Sequence, residues 1–93
     1  IEKKGNEIKF LTVDDSSTMR MIIKNSILNN FENVELYEAE DGKKCLEVLK
    51  KHPDIDVIFM DWNMPVLNGA DTVDKIRENP EYDHIKIIMA TTE

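Results

Sequence analysis

The stretch KFLTVDDSSTM, residues 9–19, decides how the rest of the chain is read. Its first five residues, Lys9 to Val13, form a short β-rich run that ends on two adjacent aspartates, Asp14 and Asp15. The pattern then changes. From Ser17 to about Leu28 the apolar residues Met19, Ile22, Ile23 and Ile27 recur at helical spacing, with Ser16 or Ser17 as a fitting N-cap. Met19 and Ile22 are expected to face a sheet, while Met21 falls off that face and is a candidate contact for a partner protein. Adjacent carboxylates repel one another, so the pair at the strand end needs a reason.

Working outward, VELYEA (residues 34–39) is a second strand, and DGKKCLEVLKKH a helix carrying Cys45, Leu46, Val48 and Leu49 on its apolar side. Lysines near the end of that helix oppose its dipole, and Pro53 closes it. DVIFM (residues 56–60) is the nearly continuous apolar run of a strand buried on both faces, and it ends on a third aspartate, Asp61. The loop WNMPVLNG contains Pro65 and Gly69 as breakers. A third helix runs through Ala70, Val73 and Ile76, and a fourth buried strand over residues 86–90. The order β-α-β-α-β-α-β predicts an α/β domain: a doubly wound parallel sheet with helices on both faces. All strand ends of one sense then lie along one edge, where such sheets bind ligands.

Composition narrows the classes. The 93 residues fit a single domain, and 41% apolar content builds a modest core. Twelve basic against nineteen acidic residues give a net charge of −7, which argues against direct nucleic-acid binding by this domain. One cysteine, Cys45, excludes an internal disulfide framework and fits a reducing, cytoplasmic setting. No apolar run reaches the length of a membrane span. The start at Ile1 rather than Met, and the stop at Glu93, suggest trimming at one or both ends.

Asp14 and Asp15 follow the first strand and Asp61 the third, so all three belong to the same sheet edge. At about 5 Å and an effective dielectric near 20, each ionised pair would repel by roughly 3 kcal/mol. Burial adds to that cost, so the cluster calls for a raised pKa or a cation, and oxygen ligands point to Mg²⁺. An aspartate after a strand also caps helices and starts turns; it is the third one at an equivalent strand end that favours the cation. Ser16, Ser17 and Thr18 read as capping residues rather than nucleophiles, since no general base is evident near them. His52 and His84 lie far apart at element boundaries and match no metal or catalytic pattern.

FLTVDDSSTMR, YEAEDG, VIFMDWNMPVLNG and IIMATTE, in this order and spacing, resemble the successive signatures of the response-regulator receiver domain. The resemblance covers residues 8–93 and implies a flavodoxin-like sheet, here with four strands and three helices of the usual five and five. It implies that Asp61 is a phosphoacceptor, taking a phosphoryl group from a phosphohistidine on a partner histidine kinase. Mg²⁺ would be held by Asp61, Asp15, Asp14 (through water) and the backbone carbonyl of Asn63. Thr91 matches the switch hydroxyl that bonds a phosphoryl oxygen, and Asn63 and Glu93 match positions that tune dephosphorylation. A complete receiver continues through a further helix, a fifth strand bearing a lysine and a last helix, so 1–93 is expected to be a C-terminally incomplete receiver. Lys86 lies within the fourth strand and does not match that lysine.

The implied function is a phosphorelay switch of two-component or chemotaxis type, acting on a flagellar motor or other downstream target. It assists its own phosphorylation and hydrolysis, with no turnover on an outside substrate. The alternatives are the N-terminal receiver of a longer regulator with a DNA-binding or enzymatic output, or an interaction-only fragment. A metal-dependent phosphohydrolase commonly has a second acid two residues after its nucleophile, where this chain has Asn63. A dimer is expected if a segment is exchanged between copies, because the fourth strand would otherwise be a bare apolar edge.

Overall fold

The computed structural model describes residues 7–61, 64 and 67–90. Four strands, β1 (Ile8–Val13), β2 (Val34–Ala39), β3 (Val57–Asp61) and β4 (Lys86–Ala90), form one parallel sheet in the order β2-β1-β3-β4. Three helices connect them: α1 (Ser17–Asn30), α2 (Gly42–Lys51) and α3 (Gly69–Arg77). The α/β architecture and the strand positions agree with the sequence reading. A 3₁₀ turn at Pro80–Tyr82, started by the Asn79 side chain accepting from the Glu81 amide, was not anticipated.

Strand alternation sorts the core onto the two faces of the sheet. Leu11, Val13, Ile58 and Met60 share one buried cluster with Cys45 and Leu49 of α2 and Ile76 of α3. Phe10 and Val57 share a smaller cluster with Ile27 of α1, with Ile23 and Phe59 packed beside it. Helices therefore cover both faces, but unequally. Cys45 lies wholly inside the larger cluster, and burial pushes its thiol up to about 12.

Register is pinned at the end of the sheet opposite Asp14 and Asp61. The Asp56 amide donates to the Lys9 carbonyl (2.8 Å), its carboxylate accepts from the Lys9 amide (2.9 Å), and its carbonyl accepts from the Lys86 amide (3.0 Å). One residue thus ties β3 to strands on either side. From this anchor the ladders run Val13 opposite Met60 and Asp61 opposite Ala90, so β3 runs one residue past the end of β1.

Helix α1 corrects one expectation. Ile23 and Ile27 face the sheet, but Ile22 is 55% exposed, as is Met21 at 61%. Met19 is half-buried like Arg20, so the inward stripe runs through Met19, Arg20, Ile23 and Ile27 and leaves out Ile22. The first turn of α1 lies over the acidic edge, where the Arg20 guanidinium donates to the Asp14 carbonyl.

Candidate metal centre

The site is built from the two strand ends. β1 runs out at Val13, and the Asp14 amide still pairs with the Ala39 carbonyl of β2 (3.1 Å), which carries Asp14 along the sheet edge before the chain turns. One Asp14 carboxylate oxygen, Oδ1, then accepts from the Ser16 amide (2.9 Å), and the Ser16 hydroxyl accepts from the Met19 amide (3.2 Å) as the N-cap of α1. Asp14 is thus both the end of a strand and the brace of the turn that starts a helix.

Asp61 is the last residue of β3, beside β1 in the sheet. One oxygen from each of Asp14, Asp15 and Asp61 lies within 4.8 Å of the others. Asp14 and Asp61 are buried, at 5% and 6% exposure, while Asp15 is exposed. Two carboxylates facing inward and one facing water leave an approach from solvent. Burial raises the Asp14 carboxyl above its ordinary value; the Ser16 amide opposes that shift, and the Asp61 and Asp15 charges add to it.

The donor set fits a hard divalent cation. Three carboxylates at this spacing offer oxygen ligands alone, and a cation among them would relieve both their repulsion and the penalty of burying two of them. The sequence-predicted residues Asp14, Asp15 and Asp61 are therefore brought together. Asn63, Thr91 and Glu93 lie outside the described residues, as does Trp62. Met64, by contrast, is described and buried in the larger core cluster.

Residues 10–93 match the family model of the response regulator receiver domain. The chain belongs to the response regulator receiver family. A chemotaxis protein CheY homolog of Campylobacter jejuni is 46% identical to this receiver over 86 residues, covering 92% of the chain and 65% of that relative's length. Chemotaxis protein CheY1 of Helicobacter pylori is 48% identical over 86 residues, covering 92% of the chain and 68% of the relative. The solved structure of Vibrio cholerae chemotaxis protein CheY4 superposes with a TM-score of 0.83 at 34% identity, across 94% of the receiver and 70% of that chain. The receiver therefore spans about two thirds of the length of these relatives. Among the described residues, no helix is long and apolar enough to cross a membrane.

Sequence reading missed Arg20. Its Nη1 donates to the Asp14 carbonyl at 2.5 Å, and its Nε donates to Glu38 Oε1 of β2 at 2.9 Å. The signal was there: Arg20 stands three residues before Ile23 and seven before Ile27, a charge on an otherwise apolar stripe. His52 and His84 sit away from the site, His52 against the Tyr37 ring and His84 beside the Ile55 carbonyl.

Proposed function

We propose that this receiver is a phosphoacceptor switch: Asp61 takes a phosphoryl group from a phosphohistidine on a histidine kinase, and the modified domain binds a downstream target differently. The observation that carries the reading is the convergence of Asp14, Asp15 and Asp61 at the C-terminal edge of the sheet, in a chain of this family. In the transfer, an Asp61 carboxylate oxygen forms the new P–O bond while the P–N bond to the imidazole breaks. The bonding pair stays on the ring nitrogen. Mg²⁺, when bound, neutralises charge on the transferring group and on the carboxylates.

The ion would be held by Asp15 and Asp61 directly, by Asp14 through water and by the backbone carbonyl of Asn63. Thr91 bonds a phosphoryl oxygen and couples the modification to a change at the protein surface. Asn63 and Glu93 set how fast the acyl phosphate is hydrolysed. These assignments rest on the family motifs. Chemotaxis names among the relatives favour a cytoplasmic regulator with a flagellar-motor or related target. The domain modifies itself and turns over no outside substrate.

Trp62 adjoins Asp61 in the sequence, and its fluorescence is a natural reporter. Mg²⁺ titration should give a saturable change, and acetyl phosphate or beryllofluoride a second one. Asp61→Asn should abolish the second change. A folded chain with no Mg²⁺ response by fluorescence or calorimetry, or a second step that survives Asp61→Asn, would overturn the reading.

A further inference from the structure

The backbone at Asp14 is held from both sides. Its amide donates to the Ala39 carbonyl, and its carbonyl accepts from Arg20, whose guanidinium also grips Glu38, the residue just before Ala39. Asp14, Arg20, Glu38 and Ala39 thus form a closed ring joining β1, α1 and β2. The Arg20 side chain is only 16% exposed, and its amide donates to the Ser16 carbonyl (3.0 Å) while the Ser16 amide donates to Asp14. The peptide linking the two aspartates is clamped at its carbonyl, which limits how the adjacent carboxylates can be aimed.

We propose that Arg20 is a positioning residue of the acidic site, holding the Asp14–Asp15 backbone in the geometry a divalent cation requires. The inference rests on reading those carboxylates as a Mg²⁺ site. Arginine suits the task because a planar fork can bond acceptors on two different elements at once, which a lysine head cannot reproduce. The bonds go to a carbonyl and to Glu38, so the guanidinium acts on the backbone beneath the carboxylates.

Electrostatics alone predicts the opposite behaviour, which makes the role testable. A positive charge near a cation site repels the ion, so deleting it should tighten Mg²⁺ binding. Deleting a residue that aims the ligands should weaken it. Calorimetric titration of Mg²⁺ into the 93-residue chain is expected to show Arg20→Gln binding about tenfold more weakly, the loss typical when a residue supporting metal ligands is removed. Arg20→Lys, which restores the charge and one donor, should recover part of the affinity. Glu38→Gln loosens the clamp only from its outer end and should weaken binding by about twofold, less than the loss of a group that bonds the aspartate backbone directly.

In the metal-free chain, the Ser16 amide should exchange hydrogen faster in Arg20→Gln than in the wild type. Equal or tighter Mg²⁺ binding by Arg20→Gln overturns the role. If that variant fails to fold, unchanged or tighter binding by Glu38→Gln overturns it instead. A wild-type chain that binds no Mg²⁺ sinks the proposed function and this role together, whereas wild-type binding with unaffected variants sinks only the role of Arg20.

Discussion

Asp14 shows how one side chain can oppose the fold that positions it. Its carboxyl is shifted upward by burial and by two neighbouring charges, so the folded chain holds the Asp14 proton more tightly than the unfolded chain does. That contribution to stability is full below the ordinary carboxylate range and is lost as pH rises through the raised value. Asp54, held down by its bond with Lys9, has the opposite sign, but it is largely exposed and contributes little. Asp14→Asn keeps an acceptor for the Ser16 amide and removes a charge from the cluster. In Mg²⁺-free buffer at neutral pH it should stabilise the chain by about 1–3 kcal/mol. Urea denaturation measures this, and the gain should shrink as the pH is lowered. A loss of stability would mean that the carboxylates do not repel as argued. The three aspartates were legible because a strand end fixes where a side chain emerges, and strand ends are marked by the change from apolar to acidic residues. Arg20 left a fainter signal: helical spacing sets it on the stripe of Ile23 and Ile27, but what it bonds there depends on what α1 lies over.

At the scale of elements, strands were read closely, and helix ends are settled by side-chain bonds. α1 extends to Asn30, whose side chain donates to the Ser26 carbonyl, and α3 stops at Arg77. Arg77 turns its guanidinium to the Tyr82 and Ile85 carbonyls, bracing the turn that leads into β4. Such endings are decided by partners many residues away or by competing side-chain bonds, which local patterns do not encode. The junction of α2 with α3 makes a sharper demand. A Cβ added at Gly42 would sit 2.0 Å from Thr72 Oγ1 and 2.6 Å from the Leu67 carbonyl oxygen. The hydroxyl could be deleted, but the carbonyl belongs to the backbone and cannot swing aside. Gly42→Ala should therefore cost about 1–3 kcal/mol of stability, as overpacking of a tight contact does. Adding Thr72→Ala should recover only part of it in denaturant titrations; full recovery would show that the backbone contact carries no strain.

Across the whole molecule the two sheet faces differ in cover. On the α1 side, Phe10 stacks on Phe59 (5.9 Å between centroids) and meets Phe31 (5.3 Å), and these rings border a groove of about 220 Å³ that reaches Ile88. Ile88 is 38% exposed and lies on β4, which among the described strands pairs only with β3. An isoleucine exposed beside an apolar groove is a surface on which contact between copies can be tested. Concentration-dependent self-association is expected in sedimentation velocity, and Ile88→Lys should suppress it at little cost to folding. If the lysine variant associates as strongly, the contact lies elsewhere.

The strand order has a consequence for the protein while it is being made. β1 is an inner strand, and both of its neighbours come from later in the chain. A nascent chain that has emerged only as far as α2 carries Asp14 and Asp15 but lacks Asp61, which arrives with β3. The third carboxylate joins the other two only when β3 docks against β1, and Ile76 of α3, which adds to the main core, follows later still. Ribosome-bound intermediates therefore hold an acidic pair without a centre, and whatever chemistry the centre performs waits until the sheet around it is built.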